Sequence, residues 1–557
     1  MKARILIAGL LLGSVFACSK SDDNEPAPEP PPAPSKFDMT ALTVDGNNNG
    51  FSYTDVKSKP TIRVSFAKDI KPSSIERAVS LSAGGSSFVP VSLTTDNRDS
   101  TIVIVPGENL SPLTQFTLRI TSTLEANDGS KLASPVNVAL KTPIDSTAKF
   151  PLITDDSLLT LVQKQTFRYF WDLAHPVSGL ARERNTSGDV VTSGGSGFGI
   201  MAIVTAIHRG FITRNEGLER MKTIVGFLGT KAARFHGAFP HWLDGATGAV
   251  QPFSATDNGA DLVETSYLVQ GLLTARQYFN RANADEQTLR NDINAITDAV
   301  EWNWFRKQDE QVLYWHWSPN YQWQINMQIK GWNECLITYV LGASSKTFSV
   351  PKTVYDNGWA SNGGMKNGAA YYGYTLPLGP ALGGPLFFAH YSFLGIDPRG
   401  LADPYANYQV QNTNHTLINY SYCVANPKSQ YGYSDRCWGL TASDIKNGYT
   451  ASSPTNDLGF IAPTAAISSL PYTPAESMKA LKFFYYQLGD RIWKEYGFTD
   501  AFSLKDIWFA DSFLAIDQGP IIVMIENHRS GLLWELFTSC PEVKTGMKTL
   551  GFSAPYL

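Results

Sequence analysis

Near Ser146 the hydrophobic periodicity of the chain changes, and this limits the architecture more than any other property of the sequence. Between Phe37 and about Thr142, apolar and polar residues alternate in short runs such as Thr61-Ile-Arg-Val-Ser-Phe66, Thr101-Ile-Val-Ile-Val105 and Phe116-Thr-Leu-Arg-Ile120. Gly, Asn, Asp and Pro punctuate these runs, a pattern that predicts strands. From Asp156 onward apolar residues recur at three- and four-residue spacing, which predicts about twelve helices. One core cannot satisfy both periods, so the chain divides into a strand-rich part and a larger helical part, as expected for 557 residues.

The strand-rich part, 37–145, has the size of an immunoglobulin-like sandwich, with about seven strands expected in roughly a hundred residues. It contains no Trp and no His, and reads as a spacer rather than a glycan-binding module. The helical part, 150–557, suggests an (α/α)6 barrel. Its long Gly-, Pro- and aromatic-rich connections, including 236–256, 309–331, 346–382 and 428–455, are of the kind that build functional clefts. All 13 Trp lie between Trp171 and Trp534, within this part. A net charge of −4 gives no basic field for a nucleic-acid backbone.

Residues 1–17 read as an export signal, with Lys2 and Arg4 before an apolar stretch too short to span a bilayer. Val15-Phe16-Ala17-Cys18 resembles a bacterial lipobox, in which Cys18 would carry lipid; a plain cleaved signal is the alternative. The acidic run after Cys18 resembles the export tag of Bacteroidota surface lipoproteins, so an outer-membrane lipoprotein is expected, monomeric and held by lipid alone. Residues 18–36 form a linker, with six prolines between Glu25 and Pro34 that keep it extended. Cys423 and Cys437 could close one disulfide or remain buried thiols.

Three stretches carry candidate chemistry. In Thr256-Asp-Asn-Gly-Ala-Asp261-Leu-Val-Glu264, the spacing places Asp257, Asp261 and Glu264 on one helix face. Asp257 would serve as the helix cap, while Asp261 and Glu264 have no cation nearby in sequence, which favours a functional role. In the second stretch, Trp315-His316-Trp317 leads through Trp323 to Trp332-Asn333-Glu334, and Glu334 opens an uncharged helix. Burial would hold its proton more tightly, as a general acid requires. In the third, Asp517 stands at a helix start, with Glu526 and Arg529 spaced as an ion pair. Asp435, Arg436, Trp438 and Asp444 lie in an aromatic-rich loop. No P-loop, G-x-S-x-G or H-E-x-x-H motif occurs, and neither metal nor cofactor is expected. Gly194-Gly-Ser-Gly-Phe-Gly199 reads as a tight turn into a helix that begins near Phe198.

Several motifs in order resemble the bacterial glucoamylase-like domain family over about 155–553. They are Gly197-Phe-Gly, Trp332-Asn-Glu, Trp438-Gly-Leu-Thr-Ala-Ser-Asp444, Ile461-Ala-Pro-Thr-Ala465, Ser469-Leu-Pro-Tyr-Thr-Pro474, Tyr496-Gly-Phe, Asp517-Gln-Gly-Pro-Ile and Ile525-Glu-Asn-His-Arg. The family is classed with glycoside hydrolase family 144, which includes endo-β-1,2-glucanases and enzymes releasing sophorose. The resemblance implies an (α/α)6 barrel, a glucan substrate and metal-free inverting hydrolysis. It also implies that Asp257, Asp261, Glu264 and Glu334 are pocket carboxylates. One departure is Ala255-Thr-Asp-Asn-Gly, where many relatives carry a Ser-Thr-Val-Asp type of sequence. The resulting expectation is Glu334 as acid, Asp261 or Glu264 as base, and Asp517 in reserve. Trp315, Trp317, Trp323, Trp332 and Trp438 would be sugar platforms, with His316 and Arg436 as hydroxyl contacts. Hydrolysis of another glucan linkage, or non-catalytic glycan capture, are the alternative functions.

Overall fold

A computed structural model describes residues 35–557, so the export signal, Cys18 and most of the Pro-rich linker lie outside the described residues. The chain separates into two compact units that meet at Pro143 and Ile144. Among the described residues no helix is long and apolar enough to cross a membrane.

The first unit is a sandwich of two sheets. One has the order Met39–Val44, Ile62–Phe66, Thr101–Pro106, Val91–Asp96; the other has the order Ser52–Tyr53, Val136–Lys141, Gln115–Ile120, Val79–Ala83, Ser87–Val89. Alternation explains the core. Ile62, Val64, Ile102 and Ile104 point inward from one sheet and Leu118, Ile120, Val138 and Leu140 from the other, and all are fully buried.

The second unit is a double ring of helices. Amphipathic helices form the outer ring: α1 (Asp155–Trp171), α3 (Arg214–Thr230), α5 (Ala284–Thr297), α7 (Tyr408–Ala425), α9 (Pro474–Tyr486) and α12 (Pro541–Leu550). Between them in sequence run inner segments that are buried on nearly every side: α2 (Ser193–His208), α4 (Leu262–Tyr278), α6 (Leu336–Ser344), α8 (Pro463–Ile467) and α10 (Ala515–Arg529). A short α11 (Leu532–Thr538) packs against α4 and α10. The sixth inner place is taken by two 3-10 turns, Leu386–Ala389 and Ser392–Leu394, where periodicity predicted one helix over 383–395. Gly383, Gly384 and Pro385 on one side and Gly395 on the other deny that segment a continuous α-helix. The inner ring closes through contacts of α10 with both α2 and α8, giving the (α/α)6 barrel.

The glycines of α2 are not a turn. The helix begins at Ser193 and contains them, because it packs backbone to backbone against α4. A Cβ at Gly197 would lie 2.1 Å from the Tyr267 carbonyl oxygen, and one at Gly271 would lie 2.2 Å from the Gly197 carbonyl oxygen. The same cause explains α12, which periodicity missed: Gly546 lets it approach α6, where a Cβ would sit 2.3 Å from Ser344 Oγ, and Pro541 occupies the favoured first helical position. Cys335, Cys423, Cys437 and Cys540 are all buried free thiols.

Candidate active site

The site starts at the N-terminus of α4. Asp261, rather than Asp257, is the helix cap: its Oδ1 accepts the backbone N–H groups of Val263 (3.0 Å) and Glu264 (2.9 Å). Its Oδ2 faces His241 Nδ1 at 2.9 Å. Ala260 and Asp261 form a short strand with His316 and Trp317, so Asp257 and Asp261 precede the helix instead of sharing its face. The three acids nevertheless converge. His316 Nε2 lies 3.4 Å from Asp257 Oδ2 and 3.6 Å from Asp261 Oδ2.

Glu264, in the first turn of α4, accepts the Gly194 N–H at 2.8 Å and faces Thr192 Oγ1 at 3.4 Å. The cation missing from the local sequence is supplied by His241, from the loop before Trp242–Asp244. Burial alone would lower the His241 pKa, but the charges of Glu264, Asp261 and Asp257 outweigh it and raise it to about 9. Burial opposes ionisation of Asp261 too, yet the bond to His241 and the nearby His316 hold its pKa below the usual carboxylate value. For Glu264, burial and the charge of Asp261 prevail and the pKa is raised. Burial, aided by Asp261, pushes Asp257 to about 7.

Glu334 lies in the turn before α6, half-buried on the wall of the same cavity. Burial, with smaller contributions from the charges of Glu264 and Asp261, pushes its carboxyl to about 7. A half-buried acid that keeps its proton near neutrality is a competent general acid.

Asp517, in the first turn of α10, is fully buried and interacts with Asp500, itself 2% exposed. Asp500 Oδ2 accepts the Asp444 N–H at 2.6 Å. Burial, then the charge of Asp444, raises the pKa of Asp500, and burial, then the charge of Asp500, raises that of Asp517, so the pair retains a proton. Asp444 pairs with Arg184 (3.2 Å), which also binds Glu183 (2.9 Å).

His241, Glu264, Glu334, Glu183 and Arg184 line a cavity of about 460 Å³ walled by Trp242, Phe253, Trp315, Phe387, Tyr391 and Tyr449, and Asp517 is not on its wall. Of the residues expected there, Trp315, Glu264 and Glu334 line it directly, and His316 and Asp257 adjoin through Asp261. Trp332 and Trp438 are core residues, at 5% and 0% exposure, and cannot present a face to a sugar. Trp332 packs among Trp359, Phe393 and Tyr408, and the Trp438 indole donates to the Glu476 carbonyl. Trp317 and Trp323 instead cluster around Trp304. Asp435 pairs with Lys479, and Arg436 lies over the Phe483 ring. Sequence reasoning missed His241, Trp242, Phe253, Phe387, Tyr391 and Arg184, which come from loops whose convergence no local pattern signals. His241, Asp257 and Asp261 offer donor atoms within 4.8 Å of one another, the one grouping among the described residues that could hold a cation.

Residues 326–541 match the family described as "Putative glucoamylase", and residues 38–142 match the bacterial Ig-like domain. The endo-β-1,2-glucanase of Chitinophaga pinensis, solved with sophorotriose and glucose, is 53% identical over 73% of this chain and 100% of its own, with a TM-score of 0.71. The chain belongs to the bacterial glucoamylase-like family. A second member, the β-1,2-glucanase of Parabacteroides distasonis, is 38% identical, with 93% of this chain and 73% of that one covered and a TM-score of 0.70. An exo β-1,2-glucooligosaccharide sophorohydrolase (non-reducing end) from the same species is 47% identical over 428 residues, 73% of this chain. This member of the family spans 59% of that relative's length.

Proposed function

We propose that the chain hydrolyses β-1,2-glucan to sophorose or short β-1,2-gluco-oligosaccharides with inversion at the anomeric carbon. The observation that carries this reading is that Glu334 and Glu264 line one aromatic cavity, in a chain more than half identical to an endo-β-1,2-glucanase. Aromatic walls suit the apolar faces of glucosyl rings, and two carboxyls supply the acid and base of a single displacement.

In this mechanism Glu334, protonated near neutral pH, donates to the glycosidic oxygen as the bond to the anomeric carbon lengthens. Glu264 takes a proton from the attacking water, directly or through a second water. Asp261 is the weaker candidate for the base, since one of its oxygens is held by two backbone amides and the other by His241. It fixes His241, whose positive charge helps Glu264 to ionise despite its burial. Asp517, which shares a retained proton with Asp500 and does not line the cavity, is the weakest candidate for the base. Lipid attachment at Cys18 and action as a monomer at the outer membrane complete the proposal.

The test is product release by the purified chain from linear β-1,2-glucan, with β-1,3-glucan, cellulose and starch alongside and anomeric configuration followed by NMR. Sophorose or short β-1,2-oligosaccharides with inverted anomers are expected. Cleavage of another polymer alone would move the substrate assignment to that linkage, and retained configuration would overturn the acid–base assignment.

A further inference from the structure

A second cavity, of about 470 Å³, adjoins the first and shares Arg184 and Tyr449 with it. We infer that Trp508 and Tyr449 form a platform in this second cavity for glucosyl units lying beyond those held over Glu334 and Glu264. This rests on the glycan-hydrolase reading above and extends it to chain-length preference.

Both aromatics are presented by hairpins. Trp508 lies on the second strand of the pair Phe502–Ser503 and Trp508–Phe509, and Tyr449 on that of Ala442–Ile445 and Gly448–Ala451. The residue before Trp508, Ile507, has φ +48°, and among the described residues it is the one β-branched side chain in the left-handed region. A branched Cβ is unfavourable there, and such strain persists where the surrounding structure imposes it and concentrates at ligand sites. Phe460 meets the Trp508 ring edge-on at 5.4 Å and fixes its plane. Trp508 is nonetheless only partly buried, and Tyr449 is 49% exposed, so both retain free surface.

The charge pattern selects the ligand class. Arg184 is the basic residue on this wall, and it is already engaged by Glu183 and Asp444. Among the described residues lining this cavity no other cation is left to recognise a phosphate or carboxylate. Asp511 and Thr186 on the rim offer hydrogen-bonding groups of the kind that pair with hydroxyls. Apolar rings with such a rim fit a neutral polyhydroxylated chain, the continuation of the same glucan.

The experiment measures kcat/KM of the full chain on β-1,2-gluco-oligosaccharides of defined length, from about three to ten units, for wild type, Trp508→Ala and Tyr449→Ala. Trp508→Ala is expected to lose about tenfold on the longest substrates, through KM, and to match wild type on the shortest one cleaved; Tyr449→Ala, whose ring also walls the first cavity, is expected to lose at every length and most on the longest. Equal loss at every length would mean a disturbed fold or catalytic cavity and would overturn the platform, as would no loss at any length. If wild type cleaves a different glucan, the same length series is run on that polymer: the linkage assignment then fails while the platform stands or falls by its own length dependence. No cleavage of any glucan overturns both.

Discussion

The backbone N–H of Gly194, in the first turn of α2, donates to Glu264 Oε2 on α4 at 2.8 Å. A Cβ at position 194 would sit 2.3 Å from that oxygen, so Gly194→Ala must displace the carboxylate. The variant is expected to fold, because Ala favours a helix more than Gly does, and to lose turnover by about 100-fold or more. Far-UV circular dichroism beside steady-state kinetics checks this. Wild-type kcat in Gly194→Ala would remove Glu264 from the mechanism.

Glu334 sets the alkaline limb of activity. With its carboxyl at about 7, kcat/KM should decline as pH rises through that value, and Glu334→Gln should abolish turnover while glucan still binds. Stability should move the same way. The native state holds this proton from the ordinary glutamate value of 4.5 up to about 7, so wild-type stability falls as pH rises through that window. Glu334→Gln should therefore melt higher than wild type at pH 8 and close to it at pH 4. A lower melting temperature at pH 8 would contradict a destabilising buried charge.

Removing the His241 cation leaves Asp261 buried beside two other acids. For His241→Phe a loss of about 3–5 kcal/mol is expected at pH 7, measured from denaturant unfolding, together with reduced turnover. The deficit should shrink at low pH, where protonation removes the uncompensated charge. A pH-independent deficit would point to lost packing instead.

Glu526 is buried far along α10, and its guanidinium partner is Arg209, through Nε at 2.6 Å and Nη2 at 2.8 Å. The sequence spacing suggested Arg529, which instead reaches Asp156 and Gln163. Arg209→Met should thus cost about 3–5 kcal/mol, with kcat near wild type wherever the protein remains folded. Arg529→Met should cost much less, since its acidic partner Asp156 is exposed. Equal losses would overturn the assignment of the pair.

The two-part fold was legible because its signals are periodic. Alternation in 61–66 and 101–105 and three- to four-residue spacing in α1, α3 and α9 are properties of one element at a time. Glu334 and Glu264 were legible for a similar reason, since an acid stands out in an apolar helix start. What escaped was produced by contacts between elements. The glycines of α2 look like a turn until Tyr267 is placed against them, and His241 looks like a stray loop residue until Asp261 is seen beside it. Trp332 and Trp438 show the converse: their sequence context matched that of Trp315, but the fold turned only Trp315 toward the cavity.

Asp261 begins the inner helix α4 and also holds His241 among the acids. Helix initiation and assembly of the reactive centre are therefore one event rather than two. Heat or denaturant should find no intermediate that keeps the barrel but has lost its chemistry, and residual activity should serve as a faithful gauge of how many molecules remain folded.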